Sequence, residues 1–331
     1  MKHKHGFTDP VPQNMENSLT GNGIDTLHGV ARFTDKNSIQ INGTPYQATH
    51  FLIATGVRPR PLDFPGHEHL IDSTDFLDLG VLPARILFVG GRFISFEFAH
   101  ICSRAGSTPV IIDRGARPLK GFDPDLVELL ITRGAAAGIR LQRSTTIESI
   151  QKTPTGYQVG VQRSGTSETM EFDLVVHGAG RTPELSSLDL DAAGVDWDEH
   201  GVHVAAHLQS TTNPAIYAAG DSANTPGMAL TPVAVFEGKV AATNMPKNAT
   251  TVPDYAAVPT VVFTIPELAR VGMLEQEPET KASTSMFATA TPVAGTPTTG
   301  SVSRAQPPRS WSTDPATESS AHTYLAPSTA N

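Results

Sequence analysis

The stretch Arg85–Gly106, reading RILFVGGRFISFEFAHICSRAG, constrains the fold more than any other part of the chain. Ile86, Leu87, Phe88 and Val89 form an unbroken apolar run, the pattern of a strand buried on both faces of a parallel sheet. Gly90 and Gly91 end it. From there Ile94, Phe98, Ile101 and Ala105 recur at spacings of three and four, which predicts a helix with those residues on its buried face. A second apolar strand, Pro109–Ile112, ends at Asp113. Strand, Gly-rich turn, helix, strand and acid form the opening of a dinucleotide-binding unit. The phosphate fingerprint G-x-G-x-x-G/A falls on Gly90 to Ser95. Arg92 stands where a second glycine normally lets the backbone approach a pyrophosphate, and Ser95 fills the small third position.

The rest of the composition narrows the function classes. With 331 residues the chain has room for two domains. A net charge of −9 without a basic cluster argues against a nucleic-acid partner. Cys102 is the sole cysteine, so an intramolecular disulfide and a Cys-based metal site are both excluded, and a buried core thiol is expected. No apolar run approaches the ~20 residues of a membrane span. The polar start, MKHKHGFTDPVPQN, lacks a signal core, and a cytoplasmic location is the expectation.

The remaining chain alternates strand and helix signals. Residues 1–22 are polar and do not resemble the start of a domain. Ser38–Ile41, Asn42-Gly43 and Thr44–Ala48 predict a hairpin, because Asn-Gly suits a type I′ turn. Phe51–Ile53 is expected to be a short buried strand leading into Thr55-Gly56. Pro59, Pro61 and Pro65 exclude regular structure around them. Ser73 is the expected N-cap of a helix ended by Gly80. Asp123-Pro124-Asp125 opens a helix whose apolar face is read as Leu126, Leu129, Leu130 and Ile131, closed by Gly134 and Gly138. Strands are expected at 139–142, 156–161 and 172–176, the middle one in a small antiparallel excursion. Gly201–Val204 alternates like an exposed-edge strand, and Ile216–Ala219 reads as buried. Pro232–Asn244 reads as a helix with Val235, Val240 and Ala241 on one face, and Val261–Thr264 as a last strand. From Pro278 on, Ser, Thr, Pro, Ala and Gly dominate, and the tail is expected to be disordered.

In their order along the chain, five stretches resemble the class I pyridine nucleotide-disulfide oxidoreductases, flavoproteins of the glutathione reductase, dihydrolipoamide dehydrogenase and mercuric reductase type. They are FLIATGVRPR at 51–60, ILFVGGRFISFEFA at 86–99, VVHGAGRTPEL at 175–185, IYAAGDSA at 216–223 with LTPVAVFEG at 230–238, and VVFTIPELARVG at 261–272. The resemblance implies an α/β fold with Rossmann-like, three-layer, doubly wound FAD- and NAD(P)-binding domains. It divides the chain into FAD-domain remnants at 1–79 and 184–248, a nucleotide domain at 80–183, the start of an interface domain at 249–277, and the tail at 278–331.

The same resemblance implies FAD and NAD(P)H as cofactors and hydride transfer from nicotinamide to flavin. Gly90, Gly91 and Ile94 fall at the nucleotide turn, Glu97 near the nicotinamide, and Phe93 at an aromatic gate over that pocket. Asp113 is the ribose-binding acid that favours NAD, whereas Arg114 and Lys120 fall where 2′-phosphate binders favour NADP. Thr55, Gly56, Gly180, Asp221 and Thr231 fall at flavin-side positions, Asp221 at the ribitol. The sequence departs from the pattern in three ways. It has no GxGxxG motif before Phe51, no redox cysteine pair, and no C-terminal His-Glu dyad, because His322 lies in the tail. A chain truncated at both ends is expected, with a frameshift after Glu277, and no catalytic residue is assigned. Members of the family are homodimers, and most of the dimerising domain is not expected here. The alternative is a catalytically inactive fragment, or a nucleotide-binding module, lacking the redox cysteines and the His-Glu dyad.

Overall fold

A computed structural model of the chain describes residues 2–272, Leu274 and His322–Leu325. They form two compact units of mixed α/β, Rossmann-like architecture. One comprises the residues up to Pro61, Leu77–Gly80 and Gly180–Tyr255; the other comprises Leu62–Phe76, Val81–Ala179 and the described residues from Ala256 on.

The second unit is built on a four-stranded parallel sheet in the order Leu174–His177, Arg85–Val89, Thr108–Ile112 and Arg140–Gln142. Arg85–Val89 has neighbours on both sides, and Ile86, Leu87 and Phe88 are each 0% exposed. Burying such side chains contributes about 1.5–3 kcal/mol apiece. The pleat sends alternate residues to opposite faces. Leu87 and Val89 join Val110, Ile112 and Val175 against Ile147, Ile150, Val159, Val161 and Phe172. Those last five belong to an antiparallel sheet, Thr145–Thr153, Gly156–Arg163 and Thr166–Phe172, which forms the covering layer on that face. On the other face Phe88 meets Phe76 and Phe98, and the rings of Phe76 and Phe98 stack at 4.3 Å.

Several local expectations shift. The outer strands of the antiparallel layer escape the sequence reading because their polar residues alternate with only two isoleucines and a terminal phenylalanine. The helix Phe93–Arg104 buries Ser95, Phe96, Phe98, Ala99, His100 and Cys102, while Ile101 is 49% exposed and Ala105 is exposed. The 3–4 spacing therefore gave the element but not its phase. Both the sheet and the segment after Thr260 cover this helix, so its buried arc is wide and includes polar side chains. In Pro124–Ala136 the buried positions are Val127, Leu130 and Gly134, and Gly134 sits inside the helix. Asp123 caps that helix by accepting from the Asp125 and Leu126 amides. The cap of Ser73–Leu77 is Asp72, not Ser73: its carboxylate accepts from Thr74 and Asp75 N–H.

Leu62–Phe76 packs with this unit because Ile71 bridges to Val176 and Phe76 enters the aromatic cluster. Thr260–Val262 and Leu268–Val271 pair antiparallel, and His322–Leu325 adds a third strand with His322 opposite Val271. Those four residues are ordered into a sheet within a tail expected to lack structure. The remainder of the tail lies outside the described residues.

In the first unit, Phe51–Ile53 and Ile216–Ala218 pair in parallel. Ile53, Ile216 and Ala218 face a core with Phe33, Leu185, Leu188 and Val202; Tyr217 faces Leu208, Val240 and Ala241 on the other side. Leu52 is 36% exposed, so only part of the first strand is buried. The Asn42-Gly43 hairpin forms as expected, with both residues at positive φ. Residues 2–22, by contrast, form two helices, Lys2–Thr8 and Val11–Gly21, the second without a buried residue. Gly201–His203 is not an edge: it lies between Trp197–Asp198 and Ala223–Asn224, with Gly201 and Val202 buried. In the helix Thr231–Asn244, Val235 is 51% exposed, and Glu237 and Asn244 are buried instead.

Asn213 ties this unit together. Its Nδ2 donates to the carbonyls of Lys36 and Ala193, and its Oδ1 accepts from Ala215 N–H. Asn213→Ala is expected to lower stability by about 2–3 kcal/mol, since buried backbone groups lose their partners. A urea unfolding midpoint that does not move would contradict this.

Candidate functional site

The sequence-predicted residues fall into two groups, one in each unit. In the sheet unit the central strand ends at Gly90, whose φ of +105° is a conformation that favours glycine. A Cβ there would lie 2.5 Å from the Gly178 carbonyl oxygen. Gly90 N–H donates to Ile112 O at 2.7 Å, and Gly178 N–H donates to Val89 O at 2.8 Å. The turn is thus locked to both neighbouring strands. The Asp113 carboxylate lies against Gly91, where a Cβ would meet it. Asp113 also accepts from Gly115 N–H.

Arg92, at the damaged fingerprint position, has extended backbone angles that any residue adopts, and it is exposed. The turn itself does not require glycine there. Arg92 opens the helix without a side-chain cap, so the N–H groups of the first turn keep no intrahelical partner. Ile94 is half-buried in that turn. Ser95 is fully buried, and its hydroxyl has no hydrogen-bond partner among the described residues. Phe93, Arg114 and Lys120 are exposed, whereas Arg117 donates to Phe122 O and serves its own loop.

Glu97, one turn on, is half-buried and accepts from Phe263 N–H at 2.9 Å. Burial raises its pKa, and that hydrogen bond partly offsets the rise. His100, which the sequence reading did not single out, is buried. Its Nδ1 lies 3.3 Å from Ile265 N, the geometry of an acceptor. Burial, with a smaller contribution from Arg104, pushes His100 down to about 4. Cys102 is a buried core thiol as expected, pushed up to about 12 by burial.

In the other unit, Thr55-Gly56 and Gly220-Asp221 follow the two parallel strands at their carboxyl ends, where open α/β sheets bind ligands. Ile53 O accepts from both Ala219 N–H and Ser222 Oγ–H, which joins the two turns. Gly180 O accepts from Arg60 N–H, beside the Arg58–Glu184 ion pair. Thr231 is exposed at the start of a helix that lacks a side-chain cap, and the next turn of that helix packs on Gly220: a Cβ on Gly220 would lie 2.8 Å from Ala234 Cβ. Burial raises the Asp221 pKa; Arg181 opposes the rise and Glu237 adds to it. Glu237, 0% exposed, was not picked out from sequence. Its position beside Val233 and Val240 gave a signal only as a break in an apolar helix face.

His100 yields a pH prediction. Its folded pKa lies below its ordinary value of 6.5, so the unfolded chain binds the proton first as pH falls. Its contribution is complete above 6.5 and is lost as pH falls toward 4, by up to about 3 kcal/mol. Unfolding free energies at about pH 7 and about pH 4.5 should therefore differ less in His100→Gln than in the parent chain. An equal difference in both would remove His100 as the source.

A family model for pyridine nucleotide-disulphide oxidoreductases matches residues 5–238. Mercuric reductase from Bacillus cereus is 32% identical over 267 residues, which cover 80% of this chain and 42% of that protein. Chloroplastic/mitochondrial glutathione reductase from Pisum sativum is 32% identical over 262 residues, 79% of this chain and 47% of that protein. Dihydrolipoyl dehydrogenase from Thermus scotoductus is 36% identical over 265 residues, 78% of this chain and 56% of that protein. The chain spans about half the length of the curated relatives it matches. No helix among the described residues is long and apolar enough to cross a membrane. With the five motifs in order on their strands and turns, the chain belongs to the pyridine nucleotide-disulphide oxidoreductase family.

Proposed function

We propose that the chain binds a pyridine nucleotide at the Gly90–Ser95 turn and is, by descent, the nicotinamide-handling part of an FAD-dependent NAD(P)H oxidoreductase. The observation that carries this reading is the uncapped start of the Phe93–Arg104 helix. The first-turn N–H groups and the positive end of the helix dipole lie there, and fully buried Ser95 packs the turn against Gly178. A diphosphate takes up such donors. Asp113, beside Gly91, is the acceptor for a ribose hydroxyl, and exposed Arg114 and Lys120 are the cations for a 2′-phosphate. Glu97 keeps a second carboxylate oxygen for a carboxamide N–H.

On the flavin side, Thr55, Gly56, Asp221 and Thr231 gather around two strand ends, which fits the ribityl and ring portion of FAD. Residues 2–50 form helices and a meander with no Gly-rich strand-to-helix turn, so that stretch does not supply a diphosphate site. When bound, the flavin would accept a hydride from the nicotinamide. The chain's own residues bind and orient. The only thiol is buried Cys102, whose high pKa keeps it protonated and unreactive, so no dithiol relay operates through this chain. That observation favours a second reading, a nucleotide-binding module without oxidoreductase turnover.

The test is the purified full chain, its visible spectrum and a fluorescence titration with NADH and NADPH. The main reading expects nucleotide binding that weakens about tenfold or more in Asp113→Asn for NADH, and a flavin band that bleaches on adding reduced nucleotide. Binding without a flavin band supports the second reading. A chain that binds neither nucleotide overturns both.

A further inference from the structure

The helix Thr231–Asn244 carries a glutamate on its buried face, and helices rarely hold a carboxylate there without a purpose for it. Glu237 is 0% exposed, and its carboxylate bonds reach outside its own helix, to the stretch Gly220–Thr225 and to Tyr255. Its Oε2 accepts from Gly220 N–H at 2.6 Å, at the residue before Asp221. Its Oε1 accepts from the Thr225 hydroxyl and the Tyr255 hydroxyl, each at 2.7 Å. Gly220 holds a φ of +67°, and its packing against Ala234 leaves little freedom. All three bonds are short, and together they fill both carboxylate oxygens.

We propose that Glu237 is a positioning residue: its carboxylate locks the Gly220-Asp221 turn and thereby presents Asp221 in one geometry to the hydroxyls of a polyol ligand, the ribityl chain of the proposed flavin. The identity of that ligand rests on the reading of Asp221 given above; the lock itself does not. The charged groups acting on Asp221 are Arg181 and Glu237, of opposite sign. Glu237 thus has two separable effects, a hydrogen bond that fixes the turn and a charge that disfavours the ionised Asp221.

Two substitutions separate them. Glu237→Gln keeps an acceptor for Gly220 N–H and offers donors to the two hydroxyls, but removes the charge. Glu237→Ala removes both. Hydrogen exchange at Gly220 N–H and the carboxyl titration of Asp221 by carbon-13 NMR are measured on the full chain. The lock predicts that Gly220 exchange stays slow in Glu237→Gln and quickens about tenfold or more in Glu237→Ala. It also predicts that Asp221 titrates at lower pH in Glu237→Gln. Unchanged Asp221 titration together with fast Gly220 exchange in Glu237→Gln overturns the proposal, even if Glu237→Ala fails to fold. FAD titration of Asp221→Asn tests the ligand separately. Affinity equal to that of the parent removes the flavin reading while the two NMR results still decide the lock.

Discussion

The close approach of Gly90 to the Gly178 carbonyl is the contact on which the unit built on the four-stranded parallel sheet depends. The two glycines end adjacent parallel strands, and neither leaves room for a side chain. Without a Cβ at Gly90, the chain turns off the sheet with its N–H bonded to Ile112 O and enters the helix immediately. A Cβ there would lie 2.5 Å from Gly178 O and 2.6 Å from Ala179 Cα, so the two strand ends could not stay this close. The shape of this turn is therefore a property of backbone packing. Arg92 can stand in the fingerprint because the tight position is Gly91, under Asp113.

The same logic of short strands ending in turns recurs in the other unit, with a different fastening. Ile53 O accepts from both Ala219 and Ser222, and Glu237 holds Gly220 from the helix side. Each unit places its candidate ligand residues at the carboxyl ends of parallel strands, where loop backbone is free to bind. In the parallel-sheet unit, Glu97 and His100 lie one turn apart on one helix and accept the backbone N–H groups of Phe263 and Ile265 respectively. Two side chains of this helix thus hold the segment after Thr260 within the same unit.

Fold and site were unevenly legible. Continuous apolar runs such as Ile86–Val89 and Ile216–Ala218 read directly as buried strands, because burial on both faces leaves no polar position. The Asn42-Gly43 turn read directly because few residues reach positive φ. Polar alternation in Thr145–Thr153 and Thr166–Phe172 did not, because the buried half of each strand is sparse and its meaning depends on the sheet beneath it. Helix faces misled where a helix is covered from more than one side. Phe93–Arg104 buries a serine and a histidine and exposes Ile101, and Thr231–Asn244 buries Glu237 and exposes Val235.

By itself, the sequence determined the family, the strand–glycine–helix–strand order and the residues at each turn, since these follow from local periodicity, glycine positions and the order of motifs. Tertiary structure decided which polar groups are satisfied and which are not. Among the described residues the Ser95 hydroxyl has no hydrogen-bond partner, Glu237 is claimed by three donors, and Arg117 is absorbed by its own loop while Arg114 stays exposed. No spacing rule gives these outcomes. A hydrogen bond depends on segments far apart in the chain arriving within 3 Å of one another, and only packing sets that distance.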